Sequence, residues 1–117
     1  MERIVEQGLL YDFYGELLTE HQRKVYEDAV YNDMSLAEIA EEYGISRQGV
    51  HDLIRRCSRL LEGYEEKLHL VKKFTEAKRT IAQIDALAEE GKWMPEEMCR
   101  ERLKEIRQLA AELMENL

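Results

Sequence analysis

Arg47, Gln48, His51, Arg55, Arg56 and Arg59 are the residues of this 117-residue chain whose types and spacing point to a chemistry. Arginine presents a permanent fork of donors that suits phosphate oxygens and the O6/N7 edge of guanine, and glutamine can pair bidentately with adenine. Measured from Val50 at about 100° per residue, Leu53, Ile54, Cys57 and Leu61 gather within about 60° of one line. Gln48, His51, Asp52, Arg55, Arg56 and Arg59 face the other way. The segment therefore reads as a helix with an apolar inner side and a cationic outer side, a candidate surface for double-stranded DNA. The plainer reading is a solvated helix face: Asp52 precedes Arg55 and Arg56 by three and four residues and can neutralise them, each exposed pair being worth about 0.3–0.5 kcal/mol.

Such a helix needs a scaffold, and the preceding residues supply one. Ser35 with Glu38 forms a capping box that opens a short helix, Gly44 follows that helix where a left-handed residue must end it, and Ser46 caps the next. Ile39, Tyr43, Ile45, Val50 and Leu53 fall where two crossing helices bury side chains, and Ala40 is small where they touch. This is a helix-turn-helix, with Arg47 and Gln48 at the end that enters a major groove.

Charge bears on the same question. The net charge is −8, yet residues 46–61 carry Arg47, Arg55, Arg56 and Arg59 against Asp52 alone, whereas residues 1–34 hold 3 basic and 8 acidic side chains. A Debye length of about 8 Å lets the basic strip act apart from the acidic remainder, which lowers non-specific affinity for nucleic acid. One proline and 36% charged residues at helical spacing indicate an all-α chain. No run approaches the roughly 18 apolar residues of a membrane span, and no signal peptide opens the chain, so a cytoplasmic protein without membrane insertion is expected. Cys57 and Cys99 stand apart at apolar helical positions and read as buried, reduced thiols; neither a metal nor a cofactor is expected. With no phosphate-binding glycine loop and no nucleophile–base pairing, an enzyme is not expected.

Before the motif, residues 4–18 read as one amphipathic helix bearing Leu10, Phe13, Tyr14, Leu17 and Leu18 on one stripe, and Thr19 with Gln22 caps a helix through about Tyr31. Tyr11, Phe13, Tyr14, Tyr26, Tyr31 and Tyr43 recur at helical spacing, which favours core packing over stacking on nucleic-acid bases. After it, the recognition helix runs to about Leu61, with a break or bend at Gly63, and an apolar stripe continues at Tyr64, Leu68, Val71, Phe74, Ile81, Ile84 and Leu87. Gly91–Pro95 is a turn in which Trp93 reads as the anchor. Cys99, Leu103, Ile106, Ala110, Leu113 and Leu117 form a heptad seam on the last helix. The organisation expected is a helix-turn-helix domain over 1–62 and a C-terminal helical extension over 63–117. Its hairpin is covered either within one chain or, the reading preferred, across a homodimer.

Leu10–Arg23, with its DFY, LLT and Gln22 run, followed by Tyr31–Ala40 and Ile45–Asp52, resembles the YlxM-like family of small bacterial helix-turn-helix proteins over roughly residues 9–75. The second half is similar to region four of bacterial sigma factors, through Leu36–Ala40 and Gly44–Ser46. The resemblance implies a sigma region four-like fold in which Arg47, Gln48 and His51 approach bases and Arg55, Arg56 and Arg59 the backbone of DNA. It also implies a regulatory part in the signal recognition particle pathway. The alternative is a module that binds the particle's GTPase or RNA and not DNA.

Overall fold

A computed structural model describes residues 3–117, with side chains from Val5 onward. The described residues form six α-helices, one 3-10 turn and no strand: α1 (Arg3–Tyr14), the 3-10 turn Gly15–Leu17, α2 (Glu20–Val30), α3 (Leu36–Tyr43), α4 (Arg47–Leu68), α5 (Leu70–Gly91) and α6 (Glu96–Asn116). They make two compact units, one running to Val71 and one over Lys72–Leu117.

In the first unit the helix starts set by local chemistry fall where expected. Thr19 and Gln22 satisfy each other's backbone N–H groups at 2.9 and 3.2 Å, and Ser35 and Glu38 do the same at 3.2 and 3.1 Å. Each box removes two orphan donors at a helix start. The single helix expected over 4–18 is instead two pieces. The Tyr11 ring lies against Gly15, where a Cβ would stand 2.8 Å from a ring carbon, and the chain tightens into a 3-10 turn there. About 120° per residue in place of 100° rotates Leu17 outward, to 58% exposure, and brings Leu18 into the core. Phe13, also expected inside, reaches the surface.

Tyr14, Leu18, Tyr26, Cys57, Leu61 and Val71 form one buried cluster, and Val25, Ile39, Ala40 and Val50 an adjoining one, bridged by half-buried Leu53 and Ile54. Of the aromatic set, Tyr14 and Tyr26 are buried, Tyr11 and Tyr43 partly so, and Tyr31 is at the surface, its hydroxyl donating to Asp12 at 3.1 Å.

The bend expected at Gly63 does not occur. α4 continues to Leu68, since one helical glycine costs only about 1 kcal/mol against alanine and Leu61 packs into the core of this unit. The chain turns at His69, in the left-handed region with φ 57°. There the Tyr14 hydroxyl donates to Glu65 at 2.5 Å and accepts from the Leu70 N–H at 3.1 Å, while Glu65 also accepts from the Val71 N–H at 2.9 Å. These contacts cap the start of α5 and carry the first unit past residue 62.

The second unit is a hairpin of α5, from Lys72, and α6. The Arg102 guanidinium meets Glu90 at 3.2 Å, and Ala77 and Thr80 line one small cavity with Leu113 and Leu117, so the two helices run antiparallel. Ala77, Thr80, Ile84, Leu87 and Gly91 on α5, and Cys99, Arg102, Ile106, Leu109 and Leu113 on α6, are the half-buried lines that face each other. Three and four residues apart, they are a heptad seam closed within one chain. The seam expected on α6 is thus rotated: Leu103 and Leu117 stand outside it, at 58% and 77% exposure. On α5, Phe74 and Ile81 are exposed and Val71 belongs to the first unit's core. Trp93 is 84% exposed and anchors nothing in the hairpin. Cys99 ties the turn instead: it is half-buried, its thiol donating to the Gly91 carbonyl at 3.3 Å.

No helix among the described residues is long and apolar enough to cross a membrane.

Candidate nucleic-acid interface

The candidate interface is the outer face of α4, and its position follows from two local decisions by the chain. Gly44 ends α3 at φ 67°, ψ 33°, a conformation open to glycine at little cost, and its N–H returns to the Ala40 carbonyl. Two residues later the Ser46 hydroxyl accepts from the Gly49 N–H at 2.9 Å and starts α4. Ile39, Ala40 and Val50 close the angle between α3 and α4.

A polar brace fixes this pair against α2. The Tyr43 hydroxyl donates to Asp28 at 2.7 Å, and the Asn32 amide donates to the other Asp28 oxygen at 2.8 Å. The bond to Asp28, followed by burial, pushes the Tyr43 hydroxyl up to about 12. Burial followed by a bond to Asp12 does the same to Tyr31. Burial also raises the Cys57 thiol, so this cysteine is a packing residue held protonated.

All six predicted site residues are on the exposed side of α4: Arg47 and Gln48 in its first turn, His51 in the next, and Arg55, Arg56 and Arg59 farther along. The expected neutralisation of Arg55 and Arg56 by Asp52 is absent. Asp52 accepts from the Gln48 amide at 2.9 Å and stands 3.8 Å from His51 Nδ1. Arg47, Arg55, Arg56 and Arg59 are in no ion pair among the described residues. Asp52, Arg55, Arg56 and Arg59 line one shallow concavity.

On one flank of this strip Arg56, Gly49 and Leu53 share a hollow with Thr19, His21 and Gln22 at the start of α2; on the other, His51, Arg55 and Arg59 share one with Gln7 of α1. These neighbours were not legible in the sequence, because they lie far from the motif along the chain. The Thr19–Gln22 capping box was the one signal that a helix start lay near. Among the described residues no group of three or more histidine, cysteine, aspartate or glutamate side chains could hold a metal ion.

The capped turn, the small residue at the helix crossing and the outward cationic face make the helix-turn-helix geometry complete. The UPF0122 family model, described as "Putative helix-turn-helix protein, YlxM / p13 like", matches residues 1–102. The chain belongs to this family. UPF0122 proteins of Bacillus cereus (strain AH187), Bacillus anthracis (strain A0248) and Bacillus thuringiensis subsp. konkukian (strain 97-27) are each similar to it at 44% identity over 98 residues, covering 84% of this chain and 89% of theirs. The YlxM/p13-like match thus spans the whole first unit, all of α5 and the first turns of α6, and it is a helix-turn-helix family rather than an enzyme family. Helix-turn-helix membership fits nucleic-acid binding in general.

Proposed function

We propose that the protein is a cytoplasmic, sequence-specific regulator that reads double-stranded DNA with α4. Arg47, Gln48 and His51 approach base edges in the major groove, and Arg55, Arg56 and Arg59 neutralise phosphates. Two copies joined through the C-terminal helices present two recognition helices, and the regulation acts on the signal recognition particle pathway, a reading that the resemblance to the YlxM-like family supports. The observation that carries this reading is the row of four α4 arginines, exposed and in no ion pair among the described residues, behind a capped helix-turn-helix.

Capture of random genomic duplex fragments on the immobilised protein, followed by sequencing, tests it. The expected result is a shared motif that the Arg47→Ala/Arg55→Ala/Arg56→Ala variant fails to enrich. Absence of any enriched sequence contradicts it.

A second reading has one observation in its favour: Asp52 occupies Gln48, a residue that would otherwise read adenine. In that reading the helix-turn-helix is a scaffold that docks on the signal recognition particle's GTPase or RNA. Saturable binding to either that survives the triple substitution supports it.

A further inference from the structure

Beside the seam that closes the hairpin, each of its helices carries a second apolar line. At 100° per residue this line lies about 80° around from the seam: Ile81 and Ala88 on α5, and Leu103, Ala110 and Met114 on α6. Ile81 is 53%, Leu103 58% and Met114 77% exposed. Because α5 and α6 run antiparallel, rotation in the same sense from the seam carries both lines to the same side of the hairpin. The second unit therefore has one face that is apolar across both helices, and no residue of α6 is buried.

The charges along the edges of this face are arranged by height. The contact of Glu90 with Arg102 and the shared cavity of Thr80 and Leu113 set the register, which puts Asp85 level with Arg107. Asp85 lies on the outer edge of the face on α5, and Arg100 and Arg107 lie on the outer edge on α6. None of the three is in an ion pair among the described residues.

We propose that this face docks a second copy of the chain, with the two hairpins side by side, their Gly91–Pro95 turns at the same end, and α5 of each over α6 of the other. The two-fold rotation leaves heights unchanged, so Asp85 meets the partner's Arg107 on both edges while Ile81 closes on the partner's Ala110 and Leu103 on the partner's Ala88. A self-copy is the occupant that answers both Asp85 and Arg107 with their opposites, once on each edge. An antiparallel arrangement of the hairpins would set Asp85 against the partner's Lys78 and leave Arg107 unmatched.

This deepens the pairing within the proposed function, and sedimentation reads it in the absence of DNA, so its failure is separate from failure of DNA binding. Analytical ultracentrifugation of the full chain at tens of micromolar is expected to show a dimer. Asp85→Arg and Arg107→Glu each weaken it about tenfold by reversing two edge contacts. An equimolar mixture of the two variants regains wild-type affinity, because the heterodimer restores both contacts. Ile81→Glu, at a solvent-exposed site, sediments as a monomer with unchanged helical circular dichroism. A monomeric wild type, a dimer indifferent to Ile81→Glu, or a mixture no tighter than either single variant overturns the proposal.

Discussion

The Gln48 amide donates to Asp52 at 2.9 Å, and that carboxylate forms no ion pair with Arg55 or Arg56, beside which it lines one concavity. The spacing alone allowed either partner. A neutral amide at i−4 wins here, which leaves two guanidinium groups with their charge unspent. Asp52→Asn keeps an acceptor for Gln48 and removes one negative charge beside the arginines. Duplex affinity is expected to rise by about fivefold, the order of one charge contact in water, read by fluorescence anisotropy. Unchanged or weaker binding contradicts the assignment of the concavity to phosphate.

Tyr43 and Asp28 hold α2 to α3, and Tyr43→Phe removes the donor at 2.7 Å. The expected loss is about 1–2 kcal/mol in urea unfolding, for a partly exposed hydrogen bond to a charged group. The pH dependence has a definite sign. Tyr43 is raised from 10.0 to about 12 in the fold, so its contribution is complete below pH 10 and is lost as pH rises from there towards 12. Tyr31 shares the same window through the burial of its hydroxyl and its bond to Asp12. Tyr43→Phe is expected to flatten the fall of Tm over that interval, and an identical fall in the variant would contradict the brace.

Gly44→Ala places a Cβ at φ 67° with no steric neighbour within 4 Å, so strain in the backbone is the whole effect. The expected cost is about 1–2 kcal/mol. A neutral substitution, measured by urea unfolding, would mean that the turn does not hold α4 at a fixed angle to α3.

Tyr14→Phe tests the elbow between α4 and α5. The hydroxyl both donates to Glu65 and accepts from the Leu70 N–H, so its loss leaves a helix start and a carboxylate short of partners. Unfolding of the first unit is expected to ease by about 1–3 kcal/mol. Faster amide exchange at Leu70 is the local signature; wild-type exchange there would contradict it.

The helix-turn-helix could be read from the chain because its signals are local: Ser35, Glu38, Gly44 and Ser46 each decide a boundary within three residues of themselves. The cationic face followed from the same periodicity. What could not be read depended on contacts across the fold. The Tyr11 ring against Gly15 changed the pitch of the chain and turned Leu17 out while Leu18 stayed in the core. Leu61 carried α4 through Gly63, and the true turn fell at His69, where no sequence signal marks it. On α6 two apolar lines lie side by side, and a single heptad count merges them into one.

The most direct test of the DNA-reading account is the salt dependence of duplex binding by the wild type and by the Arg55→Ala and Arg56→Ala variants. For each phosphate neutralised, affinity is expected to fall by about 0.9 log units per log unit of salt, and each substitution is expected to reduce the slope by about that amount. A flat wild-type slope, or variants that bind with the wild-type slope, would contradict the placement of these arginines on the DNA backbone.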